Sequence, residues 1–250
     1  MITARLFGRL GNNLFQIATT IALADKYGDI AEFERYSDTE EFSNHYTSPE
    51  DKLWYPDFGL PTRRHEIENY YEEIGHEFNE IPYSPNLCLK GFFQSEKYFA
   101  NIREKLKTEI FKVPNKPLTN TIAVHVRKAD FRLYPESFPM MPDEYYLNSL
   151  EILNFREKTV IIFSDEIETC RKIFANLNVL YSGNQNPLED LYLMANCENH
   201  IISNSAFSWW GAWLSNSLNP KVVCPSKDKW YGQNTNINTN DLIPETWMQM

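Results

Sequence analysis

The chain lacks several features that would narrow its role at once. Its four cysteines, Cys88, Cys170, Cys197 and Cys224, stand far apart with no C-x-x-C. That spacing suggests neither a zinc site nor a dense disulfide framework, and it fits a reducing compartment. Positive charge is also scarce: 24 Lys and Arg against 34 Asp and Glu leave a formal net charge of -10. Such a balance disfavours a nucleic acid or an anionic membrane surface as partner. Any anion bound here must therefore meet locally concentrated cations. No stretch approaches the roughly 18 apolar residues of a membrane span. The opening segment MITARLFGRLGNNLF has no apolar run followed by a small-residue cleavage site. There are no N-x-Ser/Thr sequons, internal repeats or low-complexity tracts. Together these absences predict a cytoplasmic protein, although docking on a membrane-bound partner or acceptor would leave no such trace.

What is present describes an ordinary globular chain: 250 residues, 42% hydrophobic and 23% charged, enough for one large or two small cores. The aromatic share of 14% is high, and flat rings serve stacking on bases and sugars as well as core packing. The polar, proline-flanked stretch from Pro114 to Asn120 reads as a linker between a first domain at 1–113 and a second at 118–250. Before it, Ile2 to Phe7 reads as a strand, Gly8 to Asn13 as a turn, and Leu14, Ile17, Ala18 and Ile21 as the face of a helix running to Gly28. The acidic, aromatic region from Glu32 to Glu80 reads mainly as loops. Leu87 to Phe93 then predicts a strand and Glu96 to Phe111 a helix. After the linker, the apolar runs TIAVHV, TVIIF, VLY, HIIS and KVVC alternate with helical patterning. This predicts five βα-type units and a parallel sheet covered on both faces, with function just beyond the carboxyl ends of the strands.

Four strand ends carry candidate chemistry. In HVRKAD, His125, Arg127 and Asp130 end or follow an apolar run, and Lys128 adds a second cation. A guanidinium suits a diphosphate, because its planar fork binds two oxygens and stays charged. An Arg-x-x-Asp pair is equally the signature of a structural salt bridge. In SNSAFSWWGAWL a strand runs through Ser203, Asn204 and Ser205 into a helix bearing Trp209, Trp210 and Trp213. That arrangement offers an anion the positive end of a helix, or it is an N-cap followed by a core helix. Ser164 and Asp165 close TVIIF, where a carboxylate could accept from guanine or simply cap the next helix. In GRLGNN, Gly8 and Gly11 permit close backbone approach and Asn12 offers a polar tip, at a junction that is not G-x-G-x-x-G.

In order along the chain, GRLGNNLFQIA, GFFQSEKYF, HVRKAD, FSDE and SNSAFSWWGAWL resemble the motif series of the bacterial α-1,2-fucosyltransferase family, and the likeness extends to KVVCPSKDKW. The resemblance implies an α/β, GT-B-type architecture of two Rossmann-like domains facing across a cleft, the first on the acceptor side and the second binding the donor. It implies inverting transfer of L-fucose from GDP-fucose to a galactose-containing glycan, with no metal and no other cofactor. Arg127 would sit on the donor β-phosphate, supported by His125 and Asp130. Asp165 would recognise guanine, Ser205, Phe207 and Ser208 would line the donor phosphates, and Gly11 and Asn12 would lie near the transferred sugar. A role in bacterial surface-polysaccharide synthesis follows by the same analogy. Another GDP-sugar or linkage, or a catalytically silent sugar-nucleotide or glycan-binding module, would keep the same donor motifs.

The chain departs from the family pattern where Lys128-Ala129 replaces Arg-Gly, where Ala206 replaces Ser and where Asn13 replaces Gln. Lys128 keeps the charge, Ala129 loses backbone freedom and Ala206 loses a hydroxyl, so altered affinity rather than lost chemistry is expected. A departing GDP would gather negative charge that Arg127, Lys128 and the Ser205 helix start could stabilise in the transition state. The acceptor hydroxyl needs a base, for which carboxylates and His125 are the candidates.

Overall fold

The structure, a computed structural model, describes residues 1–33, 58–183, 186–232, 235 and 237–250. Part of the acidic region read as loops, 34–57, lies outside the described residues. The chain forms two compact units, one of Met1–Lys112 with Asn238–Leu242 and the other of Val113–Ile237 with Ile243–Met250. The second unit therefore does not hold all of 118–250. Five residues near the C-terminus return to the first unit, where the Asp241 carboxylate accepts from the Phe78 amide at 2.9 Å and Asn238 donates to Glu77 at 2.7 Å.

In the first unit, β1 (Ile2–Ala4), β2 (Asn69–Glu72) and β3 (Leu87–Lys90) form a parallel sheet in the order β1-β3-β2. The apolar spacing that predicts the first helix builds α1 (Leu10–Tyr27), whose Leu14, Phe15, Ile17 and Ala18 are buried. The turn before it is shorter than expected. Gly8 makes it with φ +80, and a Cβ there would lie 2.4 Å from the Asn12 side chain. Gly28 ends the helix in the left-handed region, its amide bonded back to the last turn. The helix predicted from Glu96 to Phe111 is broken instead. It comprises 3₁₀ turns at Glu96–Tyr98 and Ala100–Ile102, one α turn, α2 (Arg103–Lys105), and a π turn over Leu106–Ile110. The break falls at Phe99, which has φ -145 and buries its ring 5.9 Å from that of Phe15. Local propensity yields there to the packing of one aromatic side chain.

In the second unit the apolar runs become β4 (Leu118–Val126), β5 (Thr159–Ser164), β6 (Leu180–Tyr181), β7 (Cys197–Ile201) and β8 (Val222–Cys224). Between and after them lie α3 (Asp143–Ile152), α4 (Ile167–Ile173), α5 (Pro187–Asn196) and α6 (Ala206–Trp213). A sixth strand, β9 (Met248–Gln249), is short, exposed and too weakly patterned to be read from sequence. Every pairing is parallel, in the order β6-β5-β4-β7-β8-β9. Branched residues of β4 and β5, Ile122, Val124, Val160 and Ile162, are buried against Tyr146 and Leu150 of α3 on one face. Ala123, Ile161 and Phe163 pack with Met194 of α5 and with Phe207 on the other. Trp209, Trp210 and Trp213 are buried, with Trp209 and Trp213 stacked at 5.8 Å. The tryptophan-rich string thus belongs to the core. All four cysteines are buried, and none is joined in a disulfide.

Candidate functional site

The strand order of the second sheet reverses between β4 and β7: the chain winds outward through β5 and β6 on one side and through β8 and β9 on the other. At such a switch point the connections leave the strands in opposite directions, opening a crevice at the carboxyl ends. Pairing of Val124 with Ile201 brings His125 and Arg127 at the end of β4 beside Ser203 to Ser205 after β7. Pairing of Val126 with Ser164 brings Asp165 alongside from β5. Three of the four strand-end motifs therefore converge on one edge.

Arg127 is at its centre, with 15% of its side chain exposed. Its Nη2 donates to Asp130 at 2.8 Å and its Nη1 lies 3.2 Å from Asp165. The guanidinium also lies 5.8 Å from the Phe131 ring, which stacks on Phe138. The Asp130 hydrogen bond uses one of the five N–H donors of the fork, and the Asp165 carboxylate, in ion-pair contact, helps to orient its plane. Asp165 additionally accepts from the Lys128 amide at 3.2 Å, and Lys128 pairs with Asp143 at 2.7 Å. Two cations and three carboxylates share this edge, so the excess of positive charge expected there is absent. What the geometry supplies is a positioned guanidinium.

His125 is buried, and its Nδ1 lies 2.9 Å from the Ser203 hydroxyl. Burial, reinforced by the neighbouring Arg127 charge, lowers its pKa to about 3. The ring is thus neutral at physiological pH, a poor proton acceptor and a rigid link between β4 and the loop after β7. Its ring lies 5.4 Å from that of Phe207. Ser205 is the N-cap of α6, and its own side chain makes no capping bond. The first-turn amides of a helix have no intrahelical acceptor and carry the positive end of its dipole. Ser208 is buried, with its hydroxyl 3.3 Å from the Ser205 carbonyl and 3.5 Å from that of Ser203. Ser205, Ala206 and Phe207 are the partly accessible members of this start.

Two residues outside the predicted set shape the edge. The Asn204 amide donates to the carbonyls of Pro139 and Trp230, both at 2.9 Å, tying two loops to the β7 end. Asp143 holds Lys128. The SNS string pointed toward Asn204, whereas nothing near Asp143 in sequence signals its pairing with Lys128.

The fourth motif lies in the first unit. Asn12 accepts from Gln94 at 2.9 Å, so GRLGNN and GFFQ meet although far apart in sequence. The buried Gln16 side chain joins the Phe7 amide to the Gly91 carbonyl, and Asn13 donates to the Phe7 carbonyl. Gly11 is buried in the first turn of α1. Among the described residues no group of three or more His, Cys, Asp or Glu side chains is placed to hold a metal ion. Among them, too, no helix is long and apolar enough to cross a membrane.

Two Rossmann-like parallel α/β units, one with a switch point that carries an arginine, define a fold of the GT-B type. Heptosyltransferase II of Escherichia coli, an ADP-heptose lipopolysaccharide enzyme, has the same fold, with a TM-score of 0.50 at 13% identity over 100% of this chain and 89% of that one. The chain belongs to glycosyl transferase family 11, whose model matches residues 1–236, and it is a fucosyltransferase-like glycosyltransferase. An alpha-1,2-colitosyltransferase of Escherichia coli is 28% identical across 100% of this chain and 99% of its own length. Galactoside alpha-(1,2)-fucosyltransferase 1 of Sus scrofa is 25% identical across 83% of this chain and 64% of its own.

Proposed function

We propose that the protein transfers L-fucose from GDP-fucose to the 2-hydroxyl of a galactoside, with inversion and without a metal. The observation that carries this reading is the Arg127 fork, held by Asp130 and Asp165 at the switch point beside the α6 start. The acceptor hydroxyl oxygen attacks the anomeric carbon opposite its bond to the diphosphate. As that bond breaks, its electron pair passes to a β-phosphate oxygen of GDP, and the hydroxyl proton goes to a base. Arg127, the Ser205 hydroxyl and the first-turn amide of Phe207 meet the growing charge on the leaving group. Lys128 adds a nearby cation, and Ser208 supports the helix start from within. His125 acts as a positioning residue. Asp130 and Asp165 hold the guanidinium plane, and an outward turn of Asp165 would let it accept from guanine. Gly11 and Asn12 face the transferred sugar in this reading, and a membrane-bound galactose-containing glycan is the natural acceptor.

The names of both relatives specify a 1,2 linkage, which supports that regiochemistry. They differ in the sugar moved, so a colitosyl donor is the second reading, favoured by the relative that covers both chains almost completely. A transfer assay with GDP-fucose and a colitosyl donor against a panel of β-galactosides, followed by linkage analysis, tests both. Fucosylated product with a new bond to O2 of galactose is expected. Binding of GDP-fucose without product from either donor would instead favour a sugar-nucleotide-binding protein.

A further inference from the structure

The Arg127 fork is shared by two carboxylates that hold it unequally. Asp130, three residues on, accepts a hydrogen bond from Nη2 at 2.8 Å. Asp165 reaches in from the end of β5 and lies 3.2 Å from Nη1, an ion pair rather than a hydrogen bond. Its other oxygen accepts from the Lys128 amide, again at 3.2 Å. The charged neighbours give it no firmer hold: Lys128 Nζ is taken by Asp143 at 2.7 Å, and Arg132 by Glu166 at 2.6 Å. With 20% of its side chain exposed, Asp165 is the partner of Arg127 that can leave. Its leaving matters to an anion. A phosphate oxygen approaching Nη1 meets a carboxylate already at that donor, and two like charges so close repel. The full fork is open to a diphosphate only in the conformer in which Asp165 has turned away, and the apparent affinity falls with the fraction of molecules in that conformer.

The chemistry of a carboxylate narrows what can draw it off. Its two oxygens accept best from two parallel N–H groups, as in a carboxylate–guanidinium pair. Among the common nucleobases only guanine presents such a pair, a ring N–H beside an amino group, and that edge is itself a guanidine fragment. Adenine and cytosine set an amino group beside an acceptor nitrogen, and uracil has one N–H between two carbonyls. Guanine alone can therefore replace Arg127 as the partner of Asp165, one fork for another. The exchange leaves the Asp130 hydrogen bond in place, so Arg127 keeps its orientation while Nη1 is released.

We infer that Asp165 is a specificity gate: it occupies Arg127 until a guanine base draws it off, so that a diphosphate is gripped fully only when it arrives attached to that base. This rests on the donor reading above and adds to it an energetic coupling between base and diphosphate. It is tested by isothermal titration calorimetry of the full-length wild type and Asp165→Asn with inorganic pyrophosphate, UDP and GDP. The substitution keeps the shape and the oxygen that accepts from the Lys128 amide, and removes the charge. Pyrophosphate and UDP, which cannot open the gate, should bind the variant about fivefold or more tightly than the wild type, as expected where the open conformer is the minor one. GDP should bind it no more tightly, because relief at Arg127 is offset by loss of the charged acceptor for the base. Asp143→Asn, which removes an equal charge from the same edge beside Lys128, should shift all three ligands alike; the selective pattern in that variant too would overturn the inference. Equal tightening of all three ligands by Asp165→Asn would reduce Asp165 to a repulsive charge. Weakening of all three would make it only a support for Arg127, and weakening of GDP alone only a base contact without gating. Each of these overturns the gate and leaves the donor reading standing. Absence of GDP binding by the wild type would overturn the donor reading, and the gate with it.

Discussion

At the scale of single residues, Arg127 is a group whose charge is already balanced. Asp130 and Asp165 hold its fork before any ligand arrives, so its value lies in geometry more than in net potential. Arg127→Ala should reduce kcat/KM for transfer by about a hundredfold or more, the scale of losing a preorganised donor to a developing oxyanion. Arg127→Lys should recover little of it, since an ammonium cannot span both carboxylates in one plane; steady-state kinetics on the three proteins checks both statements. Buried histidines give a second prediction. His125 and His200, each with its pKa lowered to about 3 by burial, stay neutral in the folded chain, whereas an unfolded histidine titrates near 6.5. As pH falls the unfolded state therefore takes up protons first. This contribution to stability is complete above about pH 6.5 and drains away between there and pH 3, at about 1.4 kcal/mol per pH unit for each histidine. His200→Leu should flatten the acid limb of a urea-unfolding series by that slope.

At the scale of elements, the site depends on α6 standing where its first turn opens beside β4. Gly211 sets that position. A Cβ there would lie 2.8, 3.0 and 3.2 Å from Cε, Cβ and Sδ of Met194 on α5. The methionine tip can swing aside, but the contact with its Cβ requires the two helices to part by a few tenths of an ångström. Overpacking typically costs about 1–3 kcal/mol, and alanine returns up to about 1 kcal/mol of helix propensity. Gly211→Ala should thus destabilise the second unit by about 1–2 kcal/mol, read from the denaturant midpoint. It should weaken GDP binding as well, because the α6 start moves with the helix.

At the scale of the whole molecule, the two units carry different tasks in the proposed reading, and the nucleotide belongs to one of them. GDP and GDP-fucose should raise the melting temperature while UDP does not, with about 2.7 kcal/mol of added stability at a ligand concentration one hundred times Kd. Differential scanning calorimetry checks this, and Arg127→Ala should abolish the shift.

The sequence by itself determined the alternating architecture of the second unit and the residues at its strand ends. Both are written locally: continuous apolar runs mark buried parallel strands, and polar residues directly after them mark the loops where ligands bind. Its motif order also determined the family. Tertiary structure alone decided which strand ends meet, because β4 pairs with β5 on one side and with β7, more than seventy residues on, along the other. It decided that Asp165, from another strand end, shares Arg127 with Asp130. It broke the helix expected from Glu96 to Phe111 in favour of burying Phe99, and it returned Asn238–Leu242 to the first unit. Each of these outcomes turns on side chains distant in sequence competing for the same space and the same partners, a contest that local pattern does not encode.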